Sequence, residues 1–351
     1  MGLMSEAGSL LAAQLSAEAE AWAAPCDISS LESVDSDDLP LIDIGAYLSD
    51  PEAALPGVAR QLRDCCESVG FLMLANHGLD AEIDRGVRAT MQLRQLPEEH
   101  KRALVMGSPH LAPGVGLLQE GNRVLPARAL PNFNESFVVK RELGPRNVTL
   151  DDAPWPPSVE GFDGQEFEAA ARALAEAYER LSLRLLPAFA VALGLPPEHF
   201  AGSARAPVYR MRLASYAPTP SGHFGINPHV DTSFFTLLAS TDLQGLVLFG
   251  KRKKAWLRAS NAVHLNGVPV ARPLVVNTGQ LLAQLTNDAW LPTRHFAVNA
   301  EGEDLRISLP FFFNLDATAP IGVLPHFASP EKPAKYPTVS YLDSQAIVQG
   351  E

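Results

Sequence analysis

The 351-residue sequence predicts a mainly β protein with flanking helices, an α+β chain, and two observations carry that expectation. Helical periodicity fills the first half and ends in one long stretch over 163–193. From Gly194 to about Phe313 the texture changes to short apolar runs separated by turn signals. Helices first and a run of strands afterwards describe a β-rich core with a helical layer packed on it. The chain is long enough, and apolar enough, to bury a sizeable core, and it contains no internal repeat.

Taken in order, residues 1 to about 38 read as an Ala-rich helix followed by an acidic Ser/Asp linker, Ser29 to Asp38. Leu39 to Ile44 is a short strand. Residues 57–68 form an amphipathic helix, and 70–75 a buried strand closed by Asn76-His77-Gly78. A helix follows over 80–96, and Pro97-Glu98-Glu99 opens a short third one. Residues 107–134 are rich in Gly, Pro and Asn and lack periodicity. A loop of that length inside a compact chain reads as a lid or binding loop, with Asn122, Arg123 and Arg128 as polar contacts for a substrate. In the long helix Phe167, Ala171, Leu174, Tyr178, Leu181, Leu185 and Phe189 recur at helical spacing, which marks a scaffold element.

A net charge of -12 argues against a nucleic-acid-binding surface, which needs a basic stripe. The basic run Lys251-Arg252-Lys253-Lys254 sits between two apolar runs and reads as a solvated hairpin tip, a local anion or partner contact being the second reading. Cys26, Cys65 and Cys66 cannot make a disulfide framework, so a reducing cytoplasmic setting is expected. Met1 to Trp22 carries no Lys or Arg, which is wrong for a secretory or transit peptide. No apolar run approaches a membrane span, and a soluble protein is expected.

The chemistry concentrates in five residues. His229 and Asp231 are two apart and so share a face of an extended strand. His295 lies far downstream, followed by Arg306 and Ser308 at the same i, i+2 spacing. Two imidazoles and a carboxylate make the facial triad of non-heme Fe(II) oxygenases, which leaves half of an octahedral sphere open. A guanidinium fork beside a hydroxyl is a clamp for a small carboxylate. Phe234 to Leu238 and Leu274 to Gly279 supply apolar strands around this constellation. Among the other histidines, His77 belongs to a turn where a structural hydrogen bond is expected, and His223 is a candidate for the pocket mouth. His100, His110, His199, His264 and His326 lack ligand spacing.

From Leu39 to about Asn314 the chain resembles the isopenicillin-N-synthase-like branch of the Fe(II)/2-oxoglutarate-dependent dioxygenases. The resemblance rests on Gly70 to Gly78, on Asn132-Phe133-Asn134-Glu135-Ser136-Phe137, and on His229-x-Asp231, His295 and Arg306-x-Ser308. It implies a distorted jelly-roll, or double-stranded β-helix, core with Fe(II) held by His229, Asp231 and His295. It also implies that Arg306 and Ser308, with Tyr216 on the preceding strand, hold the distal carboxylate of 2-oxoglutarate. Phe312, Phe137 and Val138 occupy positions where relatives line the substrate pocket.

The division of the chain that follows has four parts. Residues 1–38 are an N-terminal helix and acidic linker, and 39–150 an N-terminal α/β region. Residues 151–325 are the scaffold helix and catalytic core, and 326–351 a C-terminal tail. The implied reaction uses O2 and 2-oxoglutarate to oxidise an unactivated C–H bond of a small molecule, by hydroxylation first, or by desaturation or cyclisation, with succinate and CO2 as co-products. No protein partner is implied. An intact Asp231 argues against halogenation, since related halogenases replace this carboxylate to admit chloride. Gln280 and Phe296 depart from the family's usual Asp and Arg, and 251–272 is longer than the usual hairpin. The main alternative is an oxidase of the same fold that uses O2 without 2-oxoglutarate and directs Arg306 to its substrate. A catalytically silent binding protein and a zinc hydrolase are weaker rivals.

Overall fold

A computed structural model describes residues 24–25, 27–122, 131–144, 147–299 and 305–349, with side chains to 345. The expected helix before residue 23, Cys26, Arg123 and Arg128 lie outside the described residues.

The chain begins with β1 (Leu41–Asp43), α1 (Gly45–Ser49), α2 (Pro51–Ser68), β2 (Phe71–Ala75), α3 (Asp80–Leu93) and α4 (Glu98–Ala103). β3 (Gly116–Leu118), β4 (Glu135–Arg141), α5 (Gly164–Ala192) and β5 (Pro207–Tyr216) follow. Next come β6 (Ile226–His229), β7 (Phe235–Ser240), β8 (Leu246–Gly250), β9 (Ala255–Arg258), β10 (His264–Leu265) and β11 (Val268–Pro269). The chain continues through β12 (Leu274–Thr278), α6 (Gln280–Leu285), β13 (His295–Ala297) and β14 (Arg306–Asp316). It finishes with β15 (Pro320–Ile321), β16 (Val339–Ser340) and α7 (Tyr341–Gln349). A major sheet of eight strands runs β1-β2-β12-β7-β14-β5-β4-β3, and a minor sheet of four runs β6-β13-β8-β9. The two sheets form a distorted jelly roll, with β1 and β2 the parallel pair at one edge of the major sheet.

The alternation of strand side chains divides the major sheet into two faces. Ile307, Leu309, Phe311 and Phe313 of β14 and Tyr209, Met211 and Leu213 of β5 join the helical core, as do Phe235 and Leu237 of β7. α5 closes that core. Asp163 caps its N-terminus by accepting from the backbone N–H groups of Gln165 and Glu166. Its buried stripe seats Phe189 against Phe235, and Tyr178 donates to the Leu309 carbonyl at 3.2 Å. α2 and α3 pack against it, and α3 also reaches β14 and β5. The opposite face of the sheet carries the even-numbered residues of β14 and β5, and these turn toward the minor sheet.

Several expectations change. α2 starts at Pro51 rather than 57 because Asp50 caps it and Pro51 sits in the first turn, where the missing N–H costs nothing. Pro56, inside the helix, had masked this start. The 107–134 segment is not wholly irregular: β3 adds to the sheet edge against β4. The C-terminal tail carries α7, whose Gln345 side chain donates to the Thr232 carbonyl.

The basic turn between β8 and β9 is not simply solvated. Arg252 bonds Asp35 and Asp38 at 2.6 and 3.0 Å, and Lys253 reaches Glu32 and Asp38 at 2.6 and 2.8 Å. The acidic linker therefore docks on the turn, with Ser33 in a parallel bridge to Arg258 at the edge of β9. The Arg252 guanidinium beside Asp35 holds that carboxyl well below the usual range.

Candidate metal and anion site

β6 and β13 pair antiparallel with His229 directly opposite His295, which sets two imidazoles side by side on the minor sheet. Their ring centroids are 4.3 Å apart. His229 donates from Nδ1 to the Asn227 carbonyl at 2.8 Å, and His295 from Nδ1 to the Thr293 carbonyl at 3.1 Å. A carbonyl can only accept, so each Nδ1 carries the proton and each Nε2 keeps a lone pair for a metal. Asn227, in β6, is itself pinned by Asn132, whose Oδ1 accepts from the Asn227 backbone and side chain at 3.0 and 2.6 Å.

Asp231 follows β6 and crosses toward the major sheet. Its Oδ2 accepts from Thr236 Oγ1 and Asn277 Nδ2, both at 2.7 Å. Oδ1 is left facing the histidines, 3.5 Å from His229 Nε2 and 3.8 Å from His295 Nε2. The three ligand atoms lie within 4.8 Å of one another. Two imidazole nitrogens and a carboxylate oxygen are a donor set for a first-row divalent ion, and they face one another closely enough to be candidates for sharing one.

Burial works to raise the Asp231 pKa, but His295, His229 and the Asn277 amide outweigh it and hold the carboxyl well below the usual range. Burial pushes His295 down to about 4, aided by His229 and opposed by Asp231, so its imidazole is neutral at pH 7.

Arg306, Ser308 and Tyr216 come together across the β5–β14 ladder, where Arg306 pairs with Tyr216 and Ser308 with Ala214. Ser308 donates to Tyr216 Oη at 3.2 Å, and the Arg306 guanidinium lies 5.0 Å from the Tyr216 ring centre. Arg306 Nε donates to the Asp242 carbonyl at 2.9 Å, which fixes the direction of the fork. Gly245 is required beside it. A Cβ there would meet Arg306 Nε at 2.6 Å and the Val298 carbonyl oxygen at 2.4 Å.

One pocket holds both groups. His229, Asp231 and His295 line it together with Tyr216, Arg306 and Ser308, and Phe312 stands on the same wall. Phe137 does not. It is fully buried on the helical side, against Trp155 and Phe167, as the alternation of β4 requires. Val138, on the other face of β4, is buried opposite Arg212 in the register and outside the pocket lining.

Gln280 acts through its backbone, donating its N–H to the Asp231 carbonyl at 2.8 Å. Phe296 lines the pocket and packs on Phe224 and Trp256. His77 is structural: Nε2 donates to the Arg272 carbonyl and Nδ1 accepts from the Leu79 N–H. His223 packs on Phe133, away from the pocket. No residue of 251–272 lines the pocket either.

Three residues escaped the sequence reading. Thr236 and Asn277 carry no motif, and only the fold brings them to Asp231. Arg212 also lines the pocket, and its signal was legible: it shares a strand face with Tyr216, four residues on.

Known proteins resemble this chain in sequence and in fold. Residues 39–158 match the family model described as non-haem dioxygenase in morphine synthesis N-terminal, and 207–315 match the 2OG-Fe(II) oxygenase superfamily. The 2-oxoglutarate-Fe(II) type oxidoreductase hxnY of Emericella nidulans is 26% identical over 317 residues, 87% of each chain. Gibberellin 20 oxidase 1 of Arabidopsis thaliana is 27% identical over 280 residues, covering 78% of this chain and 69% of its own. Among solved structures, a full-length Neurospora crassa protein in complex with alpha-KG superposes with a TM-score of 0.73 at 21% identity, over 92% of this chain and all of that one.

Proposed function

Because this chain belongs to the 2OG-Fe(II) oxygenase superfamily, and is thereby a 2-oxoglutarate-Fe(II) dependent oxidoreductase, we propose how its residues divide the work. His229, Asp231 and His295 hold Fe(II), and Arg306, Ser308 and Tyr216 hold the distal carboxylate of 2-oxoglutarate. The observation that carries the reading is the orientation of the donors. Both Nδ1 atoms and Asp231 Oδ2 are tied to the protein, so the remaining ligand atoms face one another in the pocket that Arg306 also lines.

Bound Fe(II) with 2-oxoglutarate supplies the activation of O2 that oxidises an unactivated C–H bond, releasing succinate and CO2. The chain's own residues position and shield. Thr236 and Asn277 aim Asp231, and His295, His229 and Asn277 keep it ionised. Tyr216 and Ser308 complete the anion clamp, with Arg306 as its permanent charge. Phe71, Leu238, Leu246 and Phe296 make the surrounding wall apolar and limit water near the reacting carbon. Phe312 contacts the substrate, a small molecule.

In the proposed division of the chain, 39–150 forms the N-terminal α/β region and 151–325 the catalytic core. We place the enzyme in the cytoplasm, a reading supported by the two buried free thiols, Cys65 and Cys66. No helix among the described residues is long and apolar enough to cross a membrane.

Aerobic incubation with Fe(II) and 2-oxoglutarate tests the assignment. Slow succinate release is expected from the native chain and none from His229→Ala. Equal succinate release by the two proteins would remove the triad from the reaction.

A further inference from the structure

Arg212 has no task in the reading above. On β5 the residues Tyr209, Met211 and Leu213 enter the helical core, and Arg212 faces the pocket with Tyr216. Its side chain is buried, with the residue 9% exposed. Nε and Nη2 are sealed from solvent and meet no hydrogen-bond partner among the described residues. The register explains why. Val138 of β4 lies opposite Arg212 on one side. On the other, Ser308 pairs with Ala214 and Phe312 with Arg210, which brings Pro310 alongside. Neither neighbour offers a side-chain acceptor.

The nearby charges do not answer it. Burial works against the charged form of Arg212, and Arg210 adds to that, while Tyr216 and Asp231 favour it. Asp231 is already committed, with Oδ2 to Thr236 and Asn277 and Oδ1 toward the histidines. An arginine does not escape by losing its proton, and a buried cation without a partner is costly to the fold. A buried, unpaired guanidinium that lines a pocket is suited to receive a planar anion.

We propose that Arg212 recognises a carboxylate on the molecule being oxidised, so that the substrate is a small organic acid. This rests on the dioxygenase reading. Arg212 stands four residues from Tyr216, about 13 Å along an extended strand. The acid-binding fork thus shares one wall with the 2-oxoglutarate clamp, its backbone displaced along β5 toward Phe312 and its charge near enough for Tyr216 and Asp231 to favour it. The acid's carboxylate docks on the Arg212 fork, and its hydrocarbon part spans toward the triad.

The test uses the Fe(II)·2-oxoglutarate complex without O2 and three acid–amide pairs: benzoate and benzamide, phenylacetate and phenylacetamide, cinnamate and cinnamamide. Binding is read by ligand-observed NMR and by perturbation of the metal-to-ketoacid absorption band. The acids are expected to bind more tightly than their amides by about thirtyfold or more, the lower end for truncating one partner of a buried charge pair. Arg212→Gln should bring that ratio to about one, and Arg212→Lys should retain part of it. The affinity for 2-oxoglutarate should stay within about twofold in Arg212→Gln, since Arg306, Ser308 and Tyr216, not Arg212, make the clamp. In the ligand-free protein Arg212→Met should raise the Tm, because an unpaired buried charge is removed.

Amides binding as well as acids, or no member of the panel binding, overturns the proposal. So does an acid preference that survives in Arg212→Gln, loss of 2-oxoglutarate binding in that variant, or a lower Tm in Arg212→Met. Absence of the absorption band in the native complex is a different result, and would overturn the underlying dioxygenase assignment.

Discussion

The two faces of the major sheet are built from the same strands and obey opposite rules. On the helical face Ile307, Leu309, Phe311 and Phe313 are fully buried among apolar neighbours, and position is set by packing alone. One residue away, Arg306 and Ser308 carry polar atoms whose directions are set by individual hydrogen bonds. The first face tolerates any side chain of the right shape and supplies rigidity. The second depends on particular atoms, those of Arg306 and Ser308 held by individual bonds. Stability and chemistry are therefore separable by parity along a single strand.

The sharpest way to break this comparison is to remove a ligand. Asp231→Ala should abolish Fe(II)-dependent succinate formation while far-UV circular dichroism stays native, because the carboxylate faces the pocket rather than the core. A protein that unfolds on this change would show that the polar face is also a structural one.

The converse change falls on the helical face. Phe311→Ala should cost about 3–5 kcal/mol of unfolding free energy through the cavity it leaves, with Fe(II) affinity unchanged below the melting transition. Denaturant unfolding and metal titration on the same sample check both halves.

A smaller effect is expected from the tethers. Asn277→Ala leaves Asp231 Oδ2 with Thr236 alone, and Fe(II) affinity should fall by about 10–100-fold, as when a residue that orients a ligand is lost. Isothermal titration under anaerobic conditions measures it. An unchanged affinity would mean that the bond at 2.7 Å does not aim the carboxylate.

The smallest effect belongs to the surface. Arg252→Ala should lower the Tm only slightly, and the difference from the native chain should vanish in concentrated salt, because the ion pairs to Asp35 and Asp38 are screened. A large, salt-independent loss would make the acidic linker part of the folding core.

The same contrast explains what was legible in the sequence. Arg306-x-Ser308 was readable because the strand period of two is local, and that pair shares a face of β14 as expected. His229-x-Asp231 was readable as a motif, but β6 ends at His229 and Asp231 crosses toward the major sheet instead of sharing a strand face. Parity along β4 also separates Phe137 from Val138, and naming both as pocket residues overlooked it. Thr236 and Asn277 were not readable, since their role arises only where β7 and β12 pass beside the loop after β6. The linker was read correctly as acidic and the turn as basic. That they dock depended on a separation of more than 200 residues that no local pattern encodes. Arg212 lay in plain view on the strand of Tyr216, but a lone arginine gains meaning only when its surroundings prove to be Val138 and Pro310.

The most direct test of the pocket face is an anaerobic titration of the Fe(II)-loaded protein with 2-oxoglutarate, following the weak visible charge-transfer band of a chelated keto acid. The account predicts a band that saturates with the native chain and weakens in Arg306→Ala, whose iron binding is unchanged. Iron binding without a band, or a band that Arg306→Ala leaves intact, would contradict it.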